Sequence, residues 1–210
     1  MTLLNRFNTA LSQQPIIAIL RGLRPDAALE IGEALVAAGI TILEVPLNSP
    51  QPLESIAILA KALNGRALVG GGTVLSPENV QAVHNAGGEL VISPNMNPRV
   101  IAETKALGLI SLPGIFTPTE AFAALAAGAD ALKIFPGELA SPAYVKAITA
   151  VLPKEARLLL VGGVSADTIG QWKNSPIAGF GIGSSLFKPG LSPAEVGASA
   201  ARLIAAWQAA

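Results

Sequence analysis

The chain has 210 residues, 51% of them hydrophobic and 13% charged, and its 14 basic and 14 acidic groups cancel. Zero net charge gives no electrostatic case for nucleic acid or an anionic membrane surface. The absence of cysteine removes disulfides and thiol catalysis, and a lone histidine, His84, removes a multi-histidine metal centre.

The length suits one domain, residues 1–210, with a core that needs no covalent staple. Met1 to Gln14 carry polar residues throughout, without the basic-then-apolar layout of a signal peptide. No apolar stretch approaches the ~18 residues of a spanning helix. These features predict a soluble, cytoplasmic protein whose first residues form a short extra helix.

From residue 15 onward, β-rich runs alternate with alanine-rich amphipathic stretches eight times. The expected strands are Ile16–Gly22, Thr41–Leu47, Leu68–Val74, Leu90–Pro94, Leu109–Pro113, Ala131–Pro136, Leu158–Val164 and Gly179–Leu186. A helix is expected after each. Helix starts are marked at Pro25-Asp26, Ser76-Pro77, Thr117-Pro118, Ser141-Pro142, Ser165-Ala166-Asp167 and Ser192-Pro193. Several place a capping hydroxyl before a proline at the first helical position. Stops fall at Gly39, Gly65, Gly87, Gly108 and Gly128, where glycine supplies a left-handed cap. Seven repeats separate residue 16 from residue 179, at about 23 residues each. Closely spaced strands with intervening helices require right-handed parallel crossovers. The simplest closure is a (β/α)8 TIM barrel; an open doubly wound sheet is the competing topology, but no glycine-rich nucleotide loop follows the first strand.

Strand parity then sorts the side chains. On the first strand Arg21 shares a face with Ile17 and Ile19. On the second, Leu43, Val45 and Leu47 suit the helix layer, which turns Glu44 inward. The third ends in Gly70-Gly71-Gly72-Thr73, a run that would let a ligand approach the backbone. On the sixth, Leu132 and Ile134 take one face and Lys133 the other. The other six lysines fall on helices or loops. An ordinary lysine is neutral about once in 2,500 molecules at pH 7; burial disfavours the ammonium and frees a nucleophilic amine. A snorkelling lysine, or a structural Glu44–Lys133 ion pair, is the alternative. A buried pair, however, rarely improves on packed apolar residues. Glu89 and Asp130 precede strands and belong at the opposite, stability face.

Val161-Gly162-Gly163-Val164-Ser165 and Gly181-Ile182-Gly183-Ser184-Ser185 end the seventh and eighth strands, and each is expected to lead into a helix start. Small residues at these two turns expose amides in the usual phosphate cradle of this barrel. The sequence calls for no metal and no organic cofactor, although carboxylates alone could hold magnesium. His84, Trp172 and Trp207 fall on predicted helices and are read as surface or packing residues.

Taken jointly, Ile19-Leu20-Arg21-Gly22, Leu43-Glu44-Val45-Pro46-Leu47-Asn48-Ser49-Pro50, Gly70-Gly71-Gly72-Thr73-Val74, Ser93-Pro94-Asn95, Pro113-Gly114, Leu132-Lys133-Ile134-Phe135-Pro136 and Val161-Gly162-Gly163-Val164 resemble the class I 2-keto-3-deoxy-6-phosphogluconate and -galactonate aldolases over nearly the whole chain. The resemblance implies a homotrimeric barrel that cleaves a phosphorylated 2-keto-3-deoxy sugar acid to pyruvate and glyceraldehyde 3-phosphate. It implies Lys133 as the Schiff-base nucleophile and Glu44 as the proton carrier. Arg21 and Thr73 would hold carboxylate or neighbouring oxygens, Pro94 and Phe135 would wall the pyruvyl pocket, and Gly162, Gly163, Gly183 and Ser184 would take the phosphate. Where gluconate-type enzymes usually continue Glu-Val-Thr-Leu-Arg-Thr, this chain reads Glu44-Val45-Pro46-Leu47-Asn48-Ser49. That resembles the galactonate type and implies 2-dehydro-3-deoxy-6-phosphogalactonate as the preferred substrate. A phosphosugar-binding barrel without turnover, or an isomerase using the lysine as a general base, stays open on residues alone.

Overall fold

The computed structural model describes residues 1–210. Nine parallel strands form one sheet: β1 Ile16–Ile19, β2 Ile42–Pro46, β3 Leu68–Gly72, β4 Leu90–Ile92, β5 Ile110–Leu112, β6 Gly114–Ile115, β7 Leu132–Ile134, β8 Leu158–Val161 and β9 Gly179–Ile182. Their order, β5-β4-β3-β2-β1-β9-β8-β7-β6, begins and ends on consecutive segments. The sheet therefore closes, and the fold is the expected TIM barrel. The fifth expected strand, Leu109–Pro113, stops at Leu112 because Pro113 has no amide to give a ladder, and a further short strand lies beyond it; β5 pairs with β4, and β6 pairs with β7.

Helix α1, Leu3–Gln13, precedes the barrel, and α2 Pro25–Ala37, α3 Pro52–Ala62, α4 Pro77–Asn85, α5 Pro98–Ala106, α6 Pro118–Ala126, α7 Pro142–Thr149 and α8 Pro193–Ala209 surround it. Each of the last seven begins on proline, whose missing amide costs nothing at that position. Thr117 and Ser192 form reciprocal capping boxes with Glu120 and Glu195.

Two expectations at the ends of β8 and β9 need correction. The stretch from Ser165 is not an α-helix: it turns and gives only a 3-10 turn, Ile169–Trp172. Thr168 Oγ1 donates to the carbonyl of Gly163 and accepts from the amide of Ser165, fastening this turn back onto the end of β8. After β9, one turn puts the amides of Leu186 and Phe187 on the carbonyl of Gly183, and no helix starts until Pro193.

The core has two layers. Leu43, Val45, Leu132 and Ile134 face the helices, whereas Ile17, Ile42, Leu68, Leu90, Leu112 and Leu159 fill the barrel. Phe7 and Leu11 of α1 join the inner cluster as a floor; each full burial of such a side chain is worth about 1.5–3 kcal/mol. Arg6–Glu89, at 2.5 Å, fastens that floor helix, and Lys105–Asp130, at 2.7 Å, sits where the strands begin. Trp172 is buried in the helix layer and Trp207 packs edge-on against Phe180, at 5.2 Å between ring centroids. His84 is exposed on α4.

Candidate active site

Alternation on β7 turns Lys133 away from the helix layer that receives Leu132 and Ile134. Its side chain is 7% exposed. The backbone is pinned on both sides, in register with Leu159 of β8 and Gly114 of β6. Burial pushes the Lys133 amine below the usual lysine range; the Glu44 carboxylate opposes that shift and the Arg21 charge adds to it. The ring of Phe135 lies over Nζ, 4.6 Å from it. The ring shields the amine, although its π face favours an ammonium.

On β2 the same alternation leaves Glu44 inside the barrel, 3% exposed, with Oε2 lacking any hydrogen-bond partner. Burial raises its pKa to about 7, against the pull of Lys133 and Arg21. The carboxylate and the ammonium do not pair: no N···O separation between them falls within 4.0 Å. The structural ion pair considered from sequence is thus absent. Burial thus moves the acid up and the amine down inside one barrel, the pattern in which acid–base groups occur at functional sites.

The glycine run before Thr73 has a different cause from the one expected. A β-carbon at Gly70 would overlap the carbonyl of Leu90, and one at Gly71 would press on Val83 of α4. At Gly72 it would occupy the place of the Glu44 carboxyl. These glycines make room for the protein's own atoms.

Arg21, in the turn after β1, is exposed and donates to Asn48 Oδ1 at 2.8 Å; beside it, the amide of Gly22 donates to Ser49 Oγ at 2.9 Å. The β1 and β2 turns are thereby tied together at the barrel mouth. A cavity of about 340 Å³ opens there, and its walls include Arg21, Phe135, Gly162, Gly163, Gly183 and Ser184. Six of the expected site residues thus share one cavity. No acceptor within the backbone takes the amides of Gly163, Gly183 or Ser184. Since no α-helix starts at either turn, these amides, rather than a helix terminus, are the anion donors on offer.

Lys133, Glu44, Thr73 and Pro94 are not on that wall: the first two lie deeper, inside the barrel. Thr73 directly follows Gly72, the residue whose backbone lies against the Glu44 carboxyl. Pro94 reaches the neighbourhood of Lys133 through Gly114: a β-carbon there would overlap the Pro94 carbonyl, and Gly114 is the register partner of Lys133. Sequence reasoning missed Glu138, which lines the cavity from the 3-10 turn Gly137–Leu139. Its Cγ lies 2.8 Å from where a β-carbon of Gly163 would stand. The turn of Gly162 and Gly163, with φ 112° and 71°, therefore houses this carboxylate side chain too. A second cavity, of about 190 Å³ at the floor, holds Arg6 and Arg66, but both are already paired with carboxylates. No three His, Asp or Glu side chains stand together as a metal cluster.

The family model of the KDPG and KHG aldolases matches residues 7–196. The chain belongs to this family. Among KDPG and KHG aldolase relatives it is 44% identical to the 2-dehydro-3-deoxy-6-phosphogalactonate aldolase of Escherichia coli (strain K12), over 92% of this chain and 95% of that one. It is 30% identical to the 2-dehydro-3-deoxy-phosphogluconate aldolase of Treponema pallidum (strain Nichols), over 80% and 79% of the two chains. A solved structure described as native KDPGal superposes with a TM-score of 0.91 at 43% identity, covering 94% of this chain and 96% of that one. In a barrel of this kind the C-terminal ends of the strands are where active sites are built, and the cavity lies at that end.

Proposed function

We propose that the chain is a class I aldolase that cleaves 2-dehydro-3-deoxy-6-phosphogalactonate to pyruvate and D-glyceraldehyde 3-phosphate. One observation carries the mechanism: Lys133 and Glu44 are both inside the barrel, nearly dry, and left without the contact that would neutralise them. Neutral Lys133 attacks the C2 ketone. Glu44 gives a proton as the carbinolamine loses water to the iminium, then takes the C4 hydroxyl proton as the C3–C4 bond breaks into the iminium. It returns that proton to C3 of the enamine, and hydrolysis releases pyruvate.

Arg21 and Thr73 hold carboxylate or neighbouring oxygens, and Pro94 and Phe135 wall the pyruvyl group. The unused amides around Gly162, Gly163, Gly183 and Ser184 take the phosphate. Higher identity to the galactonate-named relative, and the Arg21–Asn48 hydrogen bond where a strand-2 arginine would stand, support the galactonate epimer. A homotrimer working in the cytoplasm belongs to the same proposal; no helix here is long and apolar enough to cross a membrane.

Borohydride in the presence of pyruvate should fix a pyruvyl adduct on Lys133, located by peptide mass mapping. An adduct on another lysine, or none under turnover conditions, would refute the Schiff base.

A further inference from the structure

Strand alternation alone would give Thr73 to the helix layer. On β3, Leu68 belongs to the inner cluster and Val69 to the outer one. Gly70 is in register with inward Glu44, Gly71 backs onto Val83, and Gly72 backs onto the Glu44 carboxyl. Thr73 is next in outward parity, yet it does not continue the strand. Its φ is 54°, left-handed, where a β-branched residue is an outlier. The reversal resets the alternation: Val74 becomes the residue fully buried among the helices, and Thr73 is left half-buried at the strand end.

The conformation is clamped from both sides. Ahead of it, the carbonyl of Gly72 accepts from the amide of Leu47 at 2.8 Å. Behind it, the Val74 amide donates to Ile92 at 3.2 Å, and the Val74 carbonyl accepts from Ser93 Oγ at 2.8 Å. Ser93 is 3% exposed, and its own amide is fixed on Leu112 at 3.1 Å. Glycine would adopt this backbone without strain, so a threonine here keeps a side chain at the cost of a disfavoured conformation.

We infer that Ser93 is a positioning residue: its buried hydroxyl holds the Val74 peptide so that Thr73 stays left-handed at the C-terminal end of β3, one residue past the glycine that backs onto the Glu44 carboxyl. This rests on the Schiff-base reading above, in which Thr73 holds the pyruvyl carboxylate or a neighbouring oxygen.

The test is a four-protein cycle of wild type, Ser93→Ala, Thr73→Gly and the double variant, read by borohydride trapping on Lys133 across pyruvate concentrations and by melting temperature. Loss of one hydrogen bond predicts that Ser93→Ala raises half-saturating pyruvate about fivefold to tenfold. The trapping rate at saturation should change little. Thr73→Gly should raise half-saturating pyruvate while raising the melting temperature. Adding Ser93→Ala to it should then cost no further pyruvate affinity, since coupled residues are non-additive. The inference is overturned if Ser93→Ala lowers the melting temperature but leaves pyruvate dependence alone. It is equally overturned if the full penalty recurs in the Thr73→Gly background, which would mean Ser93 acts through its neighbour Pro94. Absence of trapping in wild type would instead refute the Schiff base, and the melting cycle alone would judge the clamp: melting-temperature changes of the two single variants that simply add in the double variant sink it. If Ser93→Ala does not fold, Ser93→Cys, with a weaker donor in a similar shape, takes its place.

Discussion

Gly72 stands where a β-carbon would fall on the Glu44 carboxyl, so the backbone of β3 is moulded around the side chain of β2. The absence of a side chain at residue 72 is thus a condition for Glu44 to point where it does. Gly72→Ala should displace the carboxyl and reduce kcat by roughly 10²-fold or more, approaching the effect of losing the proton carrier. Circular dichroism alongside the rate assay separates this from unfolding; full activity in a folded variant would show that Glu44 has another place to work from.

Glu44→Gln preserves shape and removes the proton acceptor, which should lower kcat by roughly 10²–10⁴. Because burial raises the Glu44 pKa to about 7, kcat/KM in the wild type should climb through a limb near that pH. Glu44→Gln should lack the limb. Slow formation of the borohydride adduct should survive, since Lys133 is untouched. A near-wild-type rate would make Glu44 structural only.

The same raised pKa makes a stability prediction of definite sign. In the folded state Glu44 keeps its proton up to about pH 7, against a reference value of 4.5. Its contribution is therefore fully present below pH 4.5 and is lost as pH rises through about 7. The difference amounts to about 3 kcal/mol. Glu44→Gln should match wild-type stability near pH 4 and exceed it at pH 8, as measured by urea denaturation at both values. Equal stability at both would mean that the buried carboxylate is relieved by groups other than those named.

Gly163 and Gly183 are unequal probes of phosphate binding. At Gly163 the left-handed φ of 71° and the crowding Glu138 make any side chain strained before substrate arrives. At Gly183 the nearest atom to a β-carbon is Ile19 Cβ at 3.8 Å, an ordinary contact. Gly183→Ala should fold like wild type yet raise KM strongly for the phosphorylated substrate, with the unphosphorylated sugar acid a poor substrate for both. If the parent cleaves both substrates equally well, the cavity is not the phosphate site.

The two candidate substrates differ only in configuration at C4. Asn48 is held by Arg21 at 2.8 Å, so Asn48→Ala frees the guanidinium and removes a polar group together. Parent kcat/KM should favour the galactonate form, with measurable turnover of the gluconate epimer, and Asn48→Ala should narrow the ratio by about tenfold or more. A gluconate preference in the parent would leave the lysine chemistry standing and reverse the substrate assignment.

Much of this architecture is legible in the sequence. Proline and glycine mark most helix boundaries, and a charge in a short apolar strand stands out against a period of two; the inward burial of Glu44 and Lys133 is legible for that reason. Other features depend on neighbours distant in sequence. Glu138 sits in an exposed turn with no periodicity to mark it, and the purpose of Gly72 appears only when β2 lies beside β3. The left-handed Thr73 is flanked by hydrogen bonds from Val74 to Ile92 and Ser93, and the turn after β8 is fastened by the Thr168 hydroxyl folding back onto Gly163. Propensity along the chain registers none of these.

The unneutralised acid and amine at the heart of the barrel also bear on how such a sequence would drift. Filling both positions with packed apolar residues would relieve two desolvation penalties at once. A lineage screened in the laboratory for heat resistance alone would be rewarded for discarding Glu44 and Lys133. Their retention needs selection for turnover, so a thermostability campaign on this scaffold must hold both residues fixed or score activity in every round.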